Sequence, residues 1–222
     1  MITLYHTPLS PSCRKVRVML REKELDFRLV EEDFWLRRTD FFRLNPAGEV
    51  PVLIENNNEI YCGAYSICEY LEEAYPDVQF LGNSLQEKAE VRRLTEWFDG
   101  KFEREVTQNV LFEKIFKRLV GYGEPNSESI RVGKKNLNYH LDYIEFLLKD
   151  RNWLAGDYLT LADISAATQI SCLDYLGDIN WEKLEMVKGW YALIKSRPSF
   201  REILEDRITG FRPPTYYNDP DF

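Results

Sequence analysis

Long apolar runs, clustered histidines and metal-type cysteine spacings are all missing from this sequence of 222 residues. No stretch approaches the roughly eighteen consecutive apolar residues that a membrane-spanning helix needs. The opening Met1-Ile2-Thr3-Leu4-Tyr5 reads as a strand, not as a basic segment followed by an apolar one, so a soluble, cytoplasmic protein with no membrane association is expected. Histidine occurs only as His6 and His140, each without a visible acidic partner in the sequence, and core or surface roles are expected for both. Cys13, Cys62, Cys68 and Cys172 fall at no metal-ligating spacing, so no metal site is expected. Reduced thiols fit a cytosolic setting, and Cys68 reads as a small core residue of its helix. Positive charge is in the minority: 29 Lys and Arg against 37 Asp and Glu give a net charge of -8. That balance argues against nucleic-acid binding as the main activity. A local basic patch is compatible with it. Arg14, Lys15, Arg17 and Arg21 accompany Val16, Met19 and Leu20 on the first helix, with Arg37 and Arg38 further on. Such a face is either solvated or a docking surface for an acidic partner.

What is present is enough apolar material for a full core, 44% of residues, in a chain long enough for one large or two small domains. The first half carries a strand at Ile2 to Tyr5, a helix at Cys13 to Lys23, and then the informative stretch Asn45 to Leu71. Asn45-Pro46-Ala47-Gly48 is a turn signal that releases the chain into the apolar run Val50 to Ile54. Pro51 donates no ladder hydrogen bond and belongs at the strand's start or edge, and the Val50-Pro51 bond is a candidate for the cis isomer. The backbone of Val50 is then open to an extended peptide. Asn56-Asn57-Asn58 reads as a hairpin turn into Glu59-Ile60-Tyr61, and Ser66 to Ala74 as a helix following Gly63-Ala64.

Residues 77–86, punctuated by Gly82 and Asn83, read as a linker between a domain at 1–76 and a second one at 87–209. The second domain reads as helical throughout. Leu94, Trp97, Phe98 and Phe102 form one stripe, and Leu137, Leu141, Ile144 and Leu148 another. Gly121-Tyr122-Gly123-Glu124-Pro125 breaks the helices between them. At Thr160, a helix cap is expected, with Asp163 three residues later returning a bond to the Thr160 N–H.

This order of elements resembles the glutathione S-transferase family: a thioredoxin-like α/β N-terminal domain followed by an all-α C-terminal domain. The string Trp153 to Ile164, with its Thr160 and Asp163, is similar to the family's folding motif in the helical domain, and its role is structural. The resemblance implies a glutathione pocket framed by Val50, Pro51, Gly63 and Ala64, and a homodimer. Family members usually carry Glu-Ser in the turn before the helix, where Ser and the helix amides hold the γ-glutamyl carboxylate and the acidic residue pairs with the ammonium group. Here Gly63-Ala64-Tyr65-Ser66-Ile67 matches in its helix half only. Losing two charge-assisted hydrogen bonds costs about 1.5 to 3 kcal/mol each, or about two to four powers of ten in affinity. Glutathione is therefore expected to bind weakly and to be no required cofactor. Glu49 stands where Lys or Gln is common; it either repels an anionic tripeptide or is a solvated loop residue. In the first loop, Ser10-Pro11-Ser12-Cys13 resembles the C-P-x-C arrangement of glutaredoxin relatives with Ser in the first position. Ser10 is the catalytic candidate if the protein is an enzyme. Cys13 is either activated by the helix terminus with Arg14 and Lys15 or, the simpler reading, inert on the helix's inner side.

The chain ends Gly210 to Phe222 with Pro213, Pro214 and Pro220 among aromatic and acidic residues. Prolines disfavour helix and sheet there, so residues 210–222 read either as an extended peptide ligand or as a cover over an apolar groove of the same domain. This ending, with Asp219-Pro220-Asp221-Phe222, and Trp35-Leu36-Arg37-Arg38 upstream are similar to the FzlA family, transferase-like bacterial proteins that bind the division protein FtsZ. The resemblance implies FtsZ filaments as partner, with Pro213, Pro214, Tyr217, Asp221 and Phe222 as contacts. An active glutathione transferase or peroxidase using Ser10 is the alternative.

Overall fold

The computed structural model describes residues 1–56 and 58–220. Four short strands form one mixed sheet in the order β2-β1-β3-β4. Strand β1 (Ile2–His6) runs parallel to β2 (Phe27–Glu31) with Leu4 opposite Leu29, and antiparallel to β3 (Val52–Ile54) with Leu4 opposite Leu53. β4 (Ile60–Cys62) pairs antiparallel with β3. A parallel pair needs a crossover, and helix α1 (Pro11–Glu22) supplies it. Ser10 caps α1, its Oγ accepting from the Cys13 N–H at 3.4 Å, and Pro11 takes the first helical turn, where a missing N–H costs nothing. A short helix α2 (Thr39–Leu44) follows β2, and α3 (Ala64–Ala74) follows β4. The Val50-Pro51 bond is cis.

The second part is helical. A long rod runs through α4 (Leu85–Glu96), π-helical turns over Trp97–Thr107, α5 (Gln108–Leu111), further π turns over Phe112–Phe116, and α6 (Lys117–Leu119). It returns as α7 (Ser127–Leu148) and continues through α8 (Leu161–Tyr175), α9 (Glu185–Lys195) and α10 (Pro198–Leu204). All fifteen positions of α8 are buried, so it is the axis around which the other helices pack. Phe98, Phe102 and Leu94 are buried as the stripe predicts, as are Leu137, Leu141 and Ile144; Leu147, rather than Leu148, completes the second stripe. Among the described residues no helix is long and apolar enough to cross a membrane.

Several boundaries differ from the sequence reading. The expected linker 77–86 ends early, because Ser84 and Glu87 form a capping box that starts α4 at Leu85. Nor is it a free tether: Phe80 and Leu81 are buried, their amides donate to Glu72 Oε2 at 2.9 and 3.2 Å, and Phe80 O accepts from Leu161 N–H at 2.9 Å. Helix α3 begins at Ala64, not Ser66, because Gly63 adopts φ 83° and makes the entry turn itself.

Three of the four basic residues of α1 are neither solvated nor open to docking, while Arg21 stays partly exposed and meets Glu202 at 2.9 Å. Arg14, Lys15 and Arg17 are buried and answered from the helical part. Lys15 pairs with Asp99, and Arg17 meets Asp206 at 2.8 Å. Arg14, 0% exposed, donates to Ser171 Oγ at 2.8 Å, the Ile203 carbonyl at 2.9 Å, Tyr217 Oη at 3.0 Å and Asp206 Oδ2 at 3.3 Å. Burying a guanidinium is tolerable only with such a full set of acceptors.

That network settles the tail's position as far as Pro220. Tyr217 is 0% exposed, packs edge-on against Tyr175 with ring centroids 5.3 Å apart, and accepts from Arg14. Tyr175 Oη in turn donates to the Phe211 carbonyl at 2.9 Å. The described part of the tail covers its own domain, and Tyr217 is corrected from partner contact to core residue. Pro213 and Pro214 remain half-buried at the surface, while Asp221 and Phe222 lie outside the described residues.

Candidate functional site

The loop between β1 and α1 turns sharply at Leu9, whose φ is 58°, and delivers Ser10 to the head of α1. The Ser10 oxygen accepts from Cys13, which leaves its hydroxyl able to donate to whatever occupies the adjoining space. That space is a cavity of about 140 Å³ bounded by Ser10, Pro11, Ser12, Phe34, Glu103, Thr107, Gln108, Leu111, Phe112 and Phe116. Phe34 belongs to a 3₁₀ turn, Phe34–Leu36, after β2; the remaining walls come from the α1 start and the long rod. The site thus sits between the two parts of the molecule.

Cys13 takes no part. Its thiol is fully buried, and burial pushes it up to about 11, so the inert reading of this residue holds. Burial likewise raises Cys68 to about 12 and Cys172 to about 11.

Glu103 was not visible as a site residue in the sequence. It lies on the π-helical stretch, where i→i+5 spacing puts Gln108 beside it: Gln108 Nε2 donates to Glu103 Oε1 at 2.7 Å, and Gln169 Nε2 donates to Oε2 at 3.0 Å. Burial pushes its carboxyl above the usual range, the amide donors opposing. Only the widened helix makes this pairing, and no composition signal marks it.

A second cavity, about 360 Å³, shares Phe34 and Phe112 with the first and adds Trp35, Arg37, Phe42, Ala47, Gly48, Glu49, Val120 and Tyr122. Glu49 is exposed on its rim. The pocket framework of the sequence reading is drawn together beyond it: Gly63 N–H donates to Pro51 O at 3.0 Å, joining the two segments. Neither cavity is walled by Val50, Pro51, Gly63 or Ala64. Ala64 occupies the first position of α3, and the nearby Ser66 hydroxyl is turned back on the chain, with the Cys62 and Gly63 carbonyls as acceptors, the latter at 3.1 Å. What remains for an anion is backbone amide at the start of α3.

His140 corrects the sequence reading. It does have an acidic partner: its Nε2 lies 3.0 Å from Glu105 Oε2, and its Nδ1 accepts from Trp97 Nε1 at 3.0 Å. Trp97 donates only, so the ring is neutral with its proton on Nε2, and burial lowers its affinity for a second one. The residue is a structural clasp between the rod and α7, not a base.

Thr160 and Asp163 stand where the folding motif requires. Asp163 Oδ2 accepts from the Thr160 N–H at 2.9 Å and hydroxyl at 2.8 Å, while Oδ1 accepts from Leu154 N–H at 2.8 Å and Trp190 Nε1 at 3.0 Å.

Comparison with known proteins matches both parts. A family model described as glutathione S-transferase, N-terminal domain, matches residues 4–82, and one described as glutathione S-transferase, C-terminal domain, matches residues 111–207. FtsZ-localized protein A of Caulobacter vibrioides is 44% identical over 99% of this chain and 98% of its own length. A glutathione S-transferase of Hyoscyamus muticus is 28% identical over 91% and 97%. Among solved structures, one described as a glutathione S-transferase from Rhodospirillum rubrum F11 has a TM-score of 0.97 and 51% identity, with all of both chains covered. FzlA from C. crescentus has a TM-score of 0.96 and 44% identity, covering 100% of this chain and 99% of that one.

Proposed function

Because the chain belongs to the glutathione S-transferase family and keeps its fold while lacking the ligand side chains of the turn before α3, we propose that it is a non-catalytic member that binds FtsZ and modulates its filaments. The observation that carries this reading is the end-to-end likeness to FtsZ-localized protein A, 44% identical over 99% of this chain. A division partner rather than a substrate also accounts for a turn at Gly63-Ala64 that offers an anion only backbone amides. We read the protein as a cytoplasmic homodimer, in which two identical binding faces on one filament would convert weak single contacts into firm attachment. Glutathione is not needed for this role.

Co-sedimentation of the purified full chain with FtsZ filaments tests it. The chain is expected in the pellet only when FtsZ is polymerised. Removing Asp221 and Phe222 together is expected to abolish pelleting at an unchanged melting temperature. A chain that stays in the supernatant at every concentration sinks the reading.

A second reading, residual transferase chemistry, is favoured by the Ser10 hydroxyl facing a cavity and by the 51% identical relative described as a glutathione S-transferase. Micromolar glutathione binding together with conjugation activity lost in Ser10→Ala would establish it in place of the first.

A further inference from the structure

We propose that the cavity beside Ser10 is a receptor for a small organic cation, an ammonium group carrying a compact apolar body, and not for a thiolate. The proposal does not rest on the FtsZ reading. Three rings, Phe34, Phe112 and Phe116, line the space together with Leu111 and Pro11, and the wall formed by the π-helical turns adds the Glu103 carboxylate. Among the described residues no Lys or Arg lines it. Glu103 accepts from two neutral amides, and among the described residues no cation lies within ion-pair distance of it. Lys15, on the adjoining helix, is committed to Asp99. A half-buried carboxylate without a counter-ion, in a lining that includes three aromatic residues, is complementary to a positive charge and repels a negative one.

The same arrangement bears on Ser10. A serine that assists a transferase does so by stabilising a ligand sulfur as the thiolate. Here Glu103 lines the same cavity as Ser10, so its negative charge raises the pKa of any thiol placed there and opposes the ionised form. A cation reverses both signs: it neutralises Glu103, gains from the three rings, and leaves Ser10 to donate or accept one hydrogen bond at the cavity's edge. The placement of Glu103 and Gln108 on one wall depends on the wide helical turns between them, a departure from regular helix that recurs at binding sites.

Choline and its uncharged isostere 3,3-dimethylbutan-1-ol have nearly the same shape and differ in charge. Calorimetric titration of the full chain with each is expected to give at least about tenfold tighter binding of choline. In Glu103→Gln that preference is expected to collapse toward unity with the melting temperature retained. Phe112→Leu, which leaves the carboxylate in place, is expected to weaken choline and to leave the isostere within about twofold, and it serves as the second variant should Glu103→Gln fail to fold. Equal affinity for the two compounds overturns the proposal, as does an undiminished preference in Glu103→Gln. No detectable choline binding in the tens of millimolar overturns it too.

Discussion

At the scale of single residues, the decisive one is Tyr217. A tail rich in proline and aromatic residues has the composition of a peptide ligand, yet this tyrosine is fully buried and its oxygen is one of four acceptors that make the buried Arg14 tolerable. Tyr217→Phe keeps the ring and removes only that acceptor, leaving a guanidinium N–H stranded, which costs about 1 to 3 kcal/mol. Tyr217→Ala removes the packing on Tyr175 as well and is expected to cost about 3 to 5 kcal/mol. Urea denaturation of the two variants checks this. Near-identical stability of wild type and Tyr217→Ala would show that the tail is not anchored here. It follows that deleting residues 213–222 confounds binding with stability, so the partner question is better put to Pro213, Pro214, Asp221 and Phe222.

Among the elements, α8 depends on its first turn. Asp163 gathers the Thr160 N–H and hydroxyl, the Leu154 N–H and the Trp190 indole, so it ties the loop before α8 and helix α9 to one carboxylate. Thr160→Ala takes away one of four donors and is expected to cost about 1 kcal/mol. Asp163→Ala leaves all four without their acceptor in a buried site, at about 1 to 3 kcal/mol apiece, and is expected to be the far more damaging change by thermal melt. Equal losses in the two variants would mean that the carboxylate is not the organising group. This capping pair was legible in the sequence because both residues are local. So were β1, β3 and the stripe through Phe98 and Phe102, each written in a short period or a turn signal. The π-helical turns were not, since an i→i+5 ladder leaves no mark in composition, and Glu103 went unseen with them. The burial of the α1 basic residues is hidden from the sequence for a similar reason. A basic helix face is normally solvated, and its burial here depends on Asp99 and Asp206, far along the chain. Helix α3 starts two residues earlier than its apolar pattern indicates, because Gly63, a loop residue by composition, makes the helix entry with its positive φ.

For the whole molecule, the two parts share one apolar core that runs from Leu4 and Val16 through Phe98 and Ile170 to Tyr217, and their charged contacts converge on α1. His6 ends β1 beside this convergence. Burial, with the nearby Arg17 charge adding to it, lowers its pKa to about 4, so the ring is neutral in the native protein at neutral pH. The unfolded chain takes up that proton as pH falls past 6.5, the native state only near 4. Between those values the unfolded state binds more protons, and stability falls with falling pH. Asp174 acts in the opposite sense. Burial raises it from 3.8 to about 6, so over that interval the native state binds more protons and stability falls as pH rises. The two slopes partly cancel around pH 5, which masks each of them in the wild type. His6→Asn removes the first while leaving Asp174 in place. Relative to wild type, the variant is expected to retain up to about 3 kcal/mol more of its own neutral-pH stability on descending from pH 7 to pH 4. Urea midpoints measured across that range decide the matter: curves that run parallel would show that His6 does not carry the acid sensitivity of the joint between the two parts.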